Sequence, residues 1–269
     1  MKFAFLVMLE PRSLSKTINN LYRYIIDYYD TDIYILCQET TNINDIELFN
    51  KNVVYKNIYK KPNSFEYLNI TKNSWDNNWN NDSCLQCYIN WYKMYEILED
   101  KYNNYDYYII LRTDIDILFP FPPKEIFESI PFGIYTYDAN YAKSWGGYSS
   151  GVFIHKKFIL DYLKCFYEII NNNLYTEFLS YYLQNQENYM IYCMNKYNLS
   201  FKYMNNLNIY FTAETLNDNS TWSHIEYSSK YNVIYKYIEQ CEEAHNNLLY
   251  WNNGARWVYE NNIILLKNE

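Results

Sequence analysis

Two aspartates spaced two residues apart, Asp114 and Asp116, close the stretch Tyr105-Asp-Tyr-Tyr-Ile-Ile-Leu-Arg-Thr-Asp-Ile-Asp116. The uncharged run Tyr107 to Leu111 reads as a short strand buried on both faces, as in the middle of a parallel sheet. On extended backbone, carboxylates at i and i+2 share a face, with Cα atoms roughly 6.5 Å apart. That spacing lets both serve one hard cation, directly or through its waters. Mg2+ and Mn2+ favour oxygen ligands, and Mg2+ sites commonly join one or two carboxylates to phosphate oxygens. Arg112 stands beside the pair, and Pro120, Pro122 and Pro123 argue against continuation as a central strand. Ligands of open α/β sheets bind at such strand ends. The plain alternative is a polar strand exit. The buried run and Arg112 favour a cation and phosphate site.

A second candidate phosphate seat lies near the start of the chain. Phe3 to Leu9 reads as a buried first strand, and Ser13 stands where a helix cap belongs, ahead of Leu14, Ile18, Leu21, Ile25 and Tyr28. The turn Glu10-Pro-Arg-Ser13 thus offers backbone N–H groups and the Arg12 guanidinium. The alternative is that Arg12 is a solvated turn residue. Trp145-Gly-Gly-Tyr-Ser-Ser-Gly151 holds three of the five glycines in the chain and predicts a tight loop, or an ordinary hairpin turn. Cys84-Leu-Gln-Cys87 lies in a helical pattern without a second cysteine pair, so reduced thiols on a helix face fit better than zinc or redox chemistry.

The elements that position these groups alternate. Further strands are expected at Asp32 to Cys37, Asn52 to Tyr59, Gly133 to Tyr137, Val152 to His155 and Asn205 to Phe211. Helices are expected from Ser83, a capping-box residue, to Tyr102, and over Lys157 to Asn171, Gln184 to Tyr197 and Tyr231 to Tyr250. Residues 60–82 read as a long loop, and 212–229 as loop-like. With 269 residues and 49% hydrophobic content, the chain suits one large α/β domain. It reads as a single domain over residues 1–269, in two parts that divide after residue 119. The net charge of -8 without a basic tract argues against a nucleic-acid surface. The Phe3 to Leu9 run is too short to span a membrane, and scattered cysteines fit a reducing compartment, here the cytoplasm.

The order of these residues resembles the GT-A-fold nucleotide-sugar glycosyltransferases, and in particular the soluble ones of large DNA viruses. Arg12-Ser13 follows strand one, Asp32-Ile-Tyr-Ile follows the first helix, and the acidic motif and Gly146-Gly147 come later. The resemblance covers roughly residues 1–195 and is most specific at the acidic motif. It implies a Rossmann-like sheet flanked by helices, a UDP- or GDP-sugar donor, a glycan or glycoprotein acceptor, and Mn2+ or Mg2+. It further implies that Asp116 ligates the ion directly, and that Asp114 contacts ribose or a metal-bound water. Arg112 and Arg12 would lie near the diphosphate, and Gly146 and Gly147 would face the donor sugar or acceptor. A viral source would place the protein in the host cytoplasm or virion. This chain has Leu9-Glu10 where relatives often carry a glycine. It also has Ser149-Ser150 where they often carry an acid.

Sugar transfer expels a nucleoside diphosphate from an anomeric carbon, and an inverting enzyme also needs a base. Asp138, at a strand exit, and Glu187, near a helix start, are the candidates. A late histidine on the metal is common in that fold; His224, in a loop, fits better than His245, in a helix. Two competing functions are a haloacid-dehalogenase-like phosphatase, whose first aspartate is a nucleophile, and a non-catalytic carbohydrate-binding protein.

Overall fold

The computed structural model describes residues 1–8, 11–39, 43–70, 82–137, 151–175, 177–178, 186–212 and 226–268. The first strand, β1 (Phe3–Val7), is buried at every position. Alternation sends Phe3, Phe5 and Val7 into one apolar layer and Ala4 and Leu6 into the other. The same division splits β2 (Asp32–Gln38) and β4 (Tyr107–Ile110), which flank β1 in parallel register. Helices α3 (Asp82–Leu98), α5 (Lys156–Asn171) and α6 (Gln186–Lys196) cover the layer that holds Ala4 and Leu6. The opposite layer is covered by α1 (Leu14–Leu21) and α4 (Lys124–Ser129), with Trp257 and Leu266 from the C-terminal hairpin.

One nine-stranded sheet runs β12-β13-β8-β6-β7-β4-β1-β2-β3, where β3 is Val53–Tyr59, β6 Ile134–Tyr137, β7 Val152–His155, β8 Phe201–Met204, β12 Arg256–Glu260 and β13 Ile263–Lys267. Of the nine, β7 and β12 run against their neighbours and the other seven share one direction. This is a mixed α/β fold with a mostly parallel sheet between helical layers, as the resemblance implies. Both halves of the chain contribute strands to the one sheet. Among the described residues no helix is long and apolar enough to cross a membrane.

Three expectations differ from the structure. The first helix passes into a π-helical stretch at Tyr22–Ile26 before its last turn, Asp27–Tyr29. The wider turn shifts the buried face by one residue, so Tyr29 rather than Tyr28 is buried, stacked on Phe3 at 4.6 Å. The helix expected from Tyr231 begins only at Ile238 (α7, Ile238–Asn252). Before it, Val233–Tyr235 forms β11, the partner of β10 (Glu226–Ser228). Asn232, with φ 55, turns the chain between those two strands. Strands β8 and β12 lie where no strand was expected. The hairpin between β12 and β13 turns on Asn261 and Asn262, both at positive φ (52 and 66), the geometry a two-residue loop requires.

Candidate active site

The chain leaves the main sheet after Ile110 and turns at Thr113 and Asp114. It then forms a separate short strand, β5 (Ile115–Ile117), antiparallel to β9 (Ile209–Phe211). The acidic motif therefore straddles a turn and a new strand, and the extended spacing that would align its two carboxylates does not apply. Each carboxylate has its own partners. Asp114 is buried and accepts from Arg112 through both oxygens, Nε to Oδ1 at 2.8 Å and Nη2 to Oδ2 at 2.5 Å. Asp116 is half-buried and accepts from the Asn20 amide of α1 and, at 2.9 Å, from the Tyr210 hydroxyl of β9. Burial, and then the Asp116 charge, push that hydroxyl well above its ordinary range.

Threonines stitch four segments together at this end of the sheet. Thr113 Oγ1 donates to the Arg12 carbonyl at 3.0 Å, and Thr17 Oγ1 donates to the Thr113 carbonyl at 2.5 Å. Thr212 N donates to the Asp114 carbonyl at 3.0 Å, while its hydroxyl donates to the Ile234 carbonyl at 2.8 Å and accepts from Lys16 Nζ at 2.5 Å. Lys236 N then donates to the Phe211 carbonyl at 3.1 Å. Ser13 stands at the N-cap position of α1, but with φ 49 its side chain makes no cap bond. Its hydroxyl instead lies 3.5 Å from the Thr212 carbonyl, to which it donates.

The stitching gathers cations around Asp114. Arg112 lies over the Phe211 ring at 4.7 Å, and Lys236 lies over the same ring at 5.6 Å. Burial alone would raise the Asp114 carboxyl, but Arg112 outweighs it, with help from Arg12 and Lys236, and holds it below its ordinary range. The Lys236 amine is pushed down to about 7 by burial and by the like charges of Arg112 and Arg12, with Asp114 opposing. Cys87, on α3, sits within reach of both guanidinium fields, yet burial still raises its thiol. The sequence reading brought Arg12, Ser13, Arg112 and Asp114 to this site but missed Lys236, Phe211, Tyr210 and Asn20.

A divalent ion has a limited donor set here. Among the described residues no three His, Cys, Asp or Glu side chains cluster as a metal site. Both Asp114 oxygens accept from Arg112, and both Asp116 oxygens accept as well, Oδ1 from Asn20 and Oδ2 from Tyr210, so an ion at either carboxylate would use a remaining lone pair. One carboxylate suits Mg2+ or Mn2+ if phosphate oxygens and waters complete the shell. Asp138, Gly146, Gly147 and His224 lie outside the described residues, and Glu187 belongs to α6 with its side chain outside them. His245, on α7, lies 5.7 Å from the Tyr210 ring, stacks on Tyr231 at 4.0 Å, and has Nδ1 2.7 Å from the Cys241 carbonyl. Gly151, which closes the glycine-rich stretch, has the Tyr137 ring 3.2 Å from where a Cβ would stand.

No protein-family model matches the chain, and no curated protein matches it in sequence. Among solved structures it is similar to a glycosyltransferase involved in the glycosylation of the major capsid of PBCV-1. The identity is 12% and the TM-score 0.36, over 74% of this chain and 77% of that one. It is also similar to the mannosyltransferase Ktr4p from S. cerevisiae in complex with GDP, at 13% identity and a TM-score of 0.34, over 72% of this chain and 61% of that one.

Proposed function

We propose that the protein is a glycosyltransferase that moves a sugar from a nucleoside-diphosphate sugar to a glycan or protein acceptor, with Mn2+ or Mg2+ as cofactor. The observation that carries this reading is the meeting of an acidic motif with Arg12, Arg112 and Asp116 at the carboxyl end of the parallel strands. That is where an α/β sheet binds nucleotides. In this reading the acid would serve a cation and the guanidinium groups a diphosphate.

In the reaction the bond from the anomeric carbon to the β-phosphate oxygen breaks and a bond to the acceptor oxygen forms. The electron pair leaves with the nucleoside diphosphate. When bound, the divalent ion acts as a Lewis acid on the phosphate oxygens. Asp116 would hold it, oriented by Asn20 and Tyr210. Arg112, fixed by Asp114, and Arg12 meet the growing negative charge with donors already in place. For inversion, Asp138 or Glu187 would take the acceptor proton. The phosphatase reading loses ground because Asp114, the residue that would attack phosphorus, is buried with both oxygens engaged.

The test is a panel of nucleotide sugars with Mn2+ or Mg2+, read as nucleoside diphosphate release. Metal-dependent release supports the transferase. Inorganic phosphate from sugar phosphates, or sugar binding indifferent to EDTA with no turnover, overturns it.

A further inference from the structure

We propose that Gln38 and Asn90 recognise the base of the nucleotide, Gln38 Oε1 as a hydrogen-bond acceptor and the Asn90 amide nitrogen as a donor. The inference rests on the transferase reading for there being a nucleotide, and on a buried amide network for the two residues. Gln38 ends β2, its register partner Tyr59 ends β3, and Gln86 and Asn90 stand one turn apart on α3. Gln38, Gln86 and Asn90 are 8%, 4% and 4% exposed. Gln86 Nε2 donates to the Pro62 carbonyl at 2.9 Å and to Ser64 Oγ, tying the short helix Ser64–Tyr67 to α3. A backbone carbonyl only accepts, so the Gln86 nitrogen is fixed there and its oxygen faces Gln38. Gln38 Nε2 donates to that oxygen, and lies 3.1 Å from the Tyr59 hydroxyl and 3.4 Å from Asn90 Oδ1. The Tyr59 hydroxyl donates in turn to Asn90 Oδ1. Each amide is thereby locked in one orientation, with Gln38 Oε1 and the Asn90 nitrogen left outside the network.

A purely structural network would close on itself, and this one does not. Among the described residues nothing bonds Gln38 Oε1 or Asn90 Nδ2, and neither atom is sealed from solvent. Two side chains more than nine-tenths buried thus offer one fixed acceptor and one fixed donor. They do so at the carboxyl edge of the sheet, where α/β folds hold their ligands. Only β1 separates β2 from β4, so Gln38 stands about 10 Å, two strand spacings, from the strand that leads into Arg112. The same turn of α3 carries Cys87, which lies in the field of Arg112. With the diphosphate at Arg112, as in the transferase reading, the base falls further along this edge. An acceptor such as Gln38 Oε1 gains nothing from phosphate, which has no proton to give. The pair instead suits a neutral edge that sets a ring N–H beside a carbonyl oxygen, as uracil and guanine do.

Calorimetric titration of the full chain with UDP, GDP, CDP, ADP and inorganic pyrophosphate, in the presence of Mg2+, tests the pair. Wild type is expected to bind UDP or GDP at least about tenfold more tightly than CDP and ADP. Asn90→Asp keeps the inward oxygen and turns the outward donor into an acceptor. It is expected to lose most of that preference with pyrophosphate affinity unchanged. Asn90→Ala adds no buried charge and is expected to do the same, with circular dichroism showing that each variant is folded. A wild type without preference among the four nucleotides overturns the proposal. So does a variant that weakens all four equally, which would place the contact on ribose, or one that weakens pyrophosphate as much as the nucleotides. The two readings fail separately. A base preference that depends on Asn90, without turnover of any sugar nucleotide, removes the transferase alone. Sugar transfer with the same KM and base preference in Asn90→Ala removes the base contact alone.

Discussion

Arg112 grips Asp114 by both carboxylate oxygens, at 2.8 and 2.5 Å, two residues before the carboxylate proposed to hold the metal ion. The grip divides the labour of the motif: one aspartate fixes a guanidinium, and the other is held by the Asn20 amide and the Tyr210 hydroxyl. Both partners are well buried, so neither charge has water in reserve. Removing Arg112 leaves the Asp114 carboxylate without its hydrogen-bonding partner and with only the fields of Arg12 and Lys236, and breaking such a buried pair typically costs about 3–5 kcal/mol. Arg112→Ala should therefore lower the melting temperature by roughly 10 °C. Arg112→Lys should recover little, because an ammonium cannot reproduce the fork. Thermal unfolding followed by circular dichroism checks both, and a loss under about 1 kcal/mol would mean that the pair is not buried as described.

His155 predicts an acid-side loss of stability. It caps α5 by accepting from Lys157 N through Nδ1 at 3.3 Å, stacks on Phe132 at 3.9 Å, and must stay neutral to accept. Burial, then Lys156 and Lys157, push its imidazole down to about 4, against the pull of Asp106. The unfolded chain binds this proton near pH 6.5 and the folded chain only near 4. The contribution is thus complete above pH 6.5 and lost as pH falls toward 4. His155→Asn keeps a cap acceptor and should flatten the stability slope over that interval relative to wild type. Urea midpoints at pH 4.5, 5.5 and 7 measure it, and parallel slopes for the two proteins contradict it.

Lys236 predicts a slope of the same sign over a higher pH interval. Its amine, lowered to about 7 in the fold, returns to the ordinary lysine range near 10.4 on unfolding. Between these values the unfolded chain holds more protons, so stability rises with pH from about 7 to 10 and the folded lysine is unfavourable at neutrality. Lys236→Met should therefore be more stable than wild type at pH 7, by up to about 1 kcal/mol after screening by solvent, and melt at a higher temperature. The gain should vanish at pH 10. Melting curves at both values decide it. A variant less stable than wild type at pH 7 would show that the lysine is there for the fold.

Much of the scaffold was legible because burial on both faces writes itself into sequence. Phe3 to Val7, Asp32 to Gln38 and Tyr107 to Ile110 carry no interior charge and emerge as adjacent parallel strands. The phase slip at Tyr22–Ile26 was hidden, since a π-turn depends on how the helix meets the sheet. The site was only half legible for a similar reason. Arg112 and Asp114 are neighbours in sequence, so their proximity could be read, although their mutual grip could not. Lys236 reaches them through β9 and β11, two three-residue strands too short to show a period. The helical pattern that begins at Tyr231 runs through Val233-Ile-Tyr235 and hides the strand there. The faces of Asp114 and Asp116 depended on a turn at Thr113 that the D-x-D spacing does not announce.

The most direct test of the central claim is nucleoside diphosphate release by Asp116→Ala beside wild type. Both are assayed with the best sugar nucleotide, with and without Mn2+, after circular dichroism has shown that both are folded. The account predicts that wild type turns over only with the ion, and that Asp116→Ala loses at least about a hundredfold in kcat, as expected when transition-state charge loses its main stabiliser. Undiminished, Mn2+-dependent release by Asp116→Ala would contradict it.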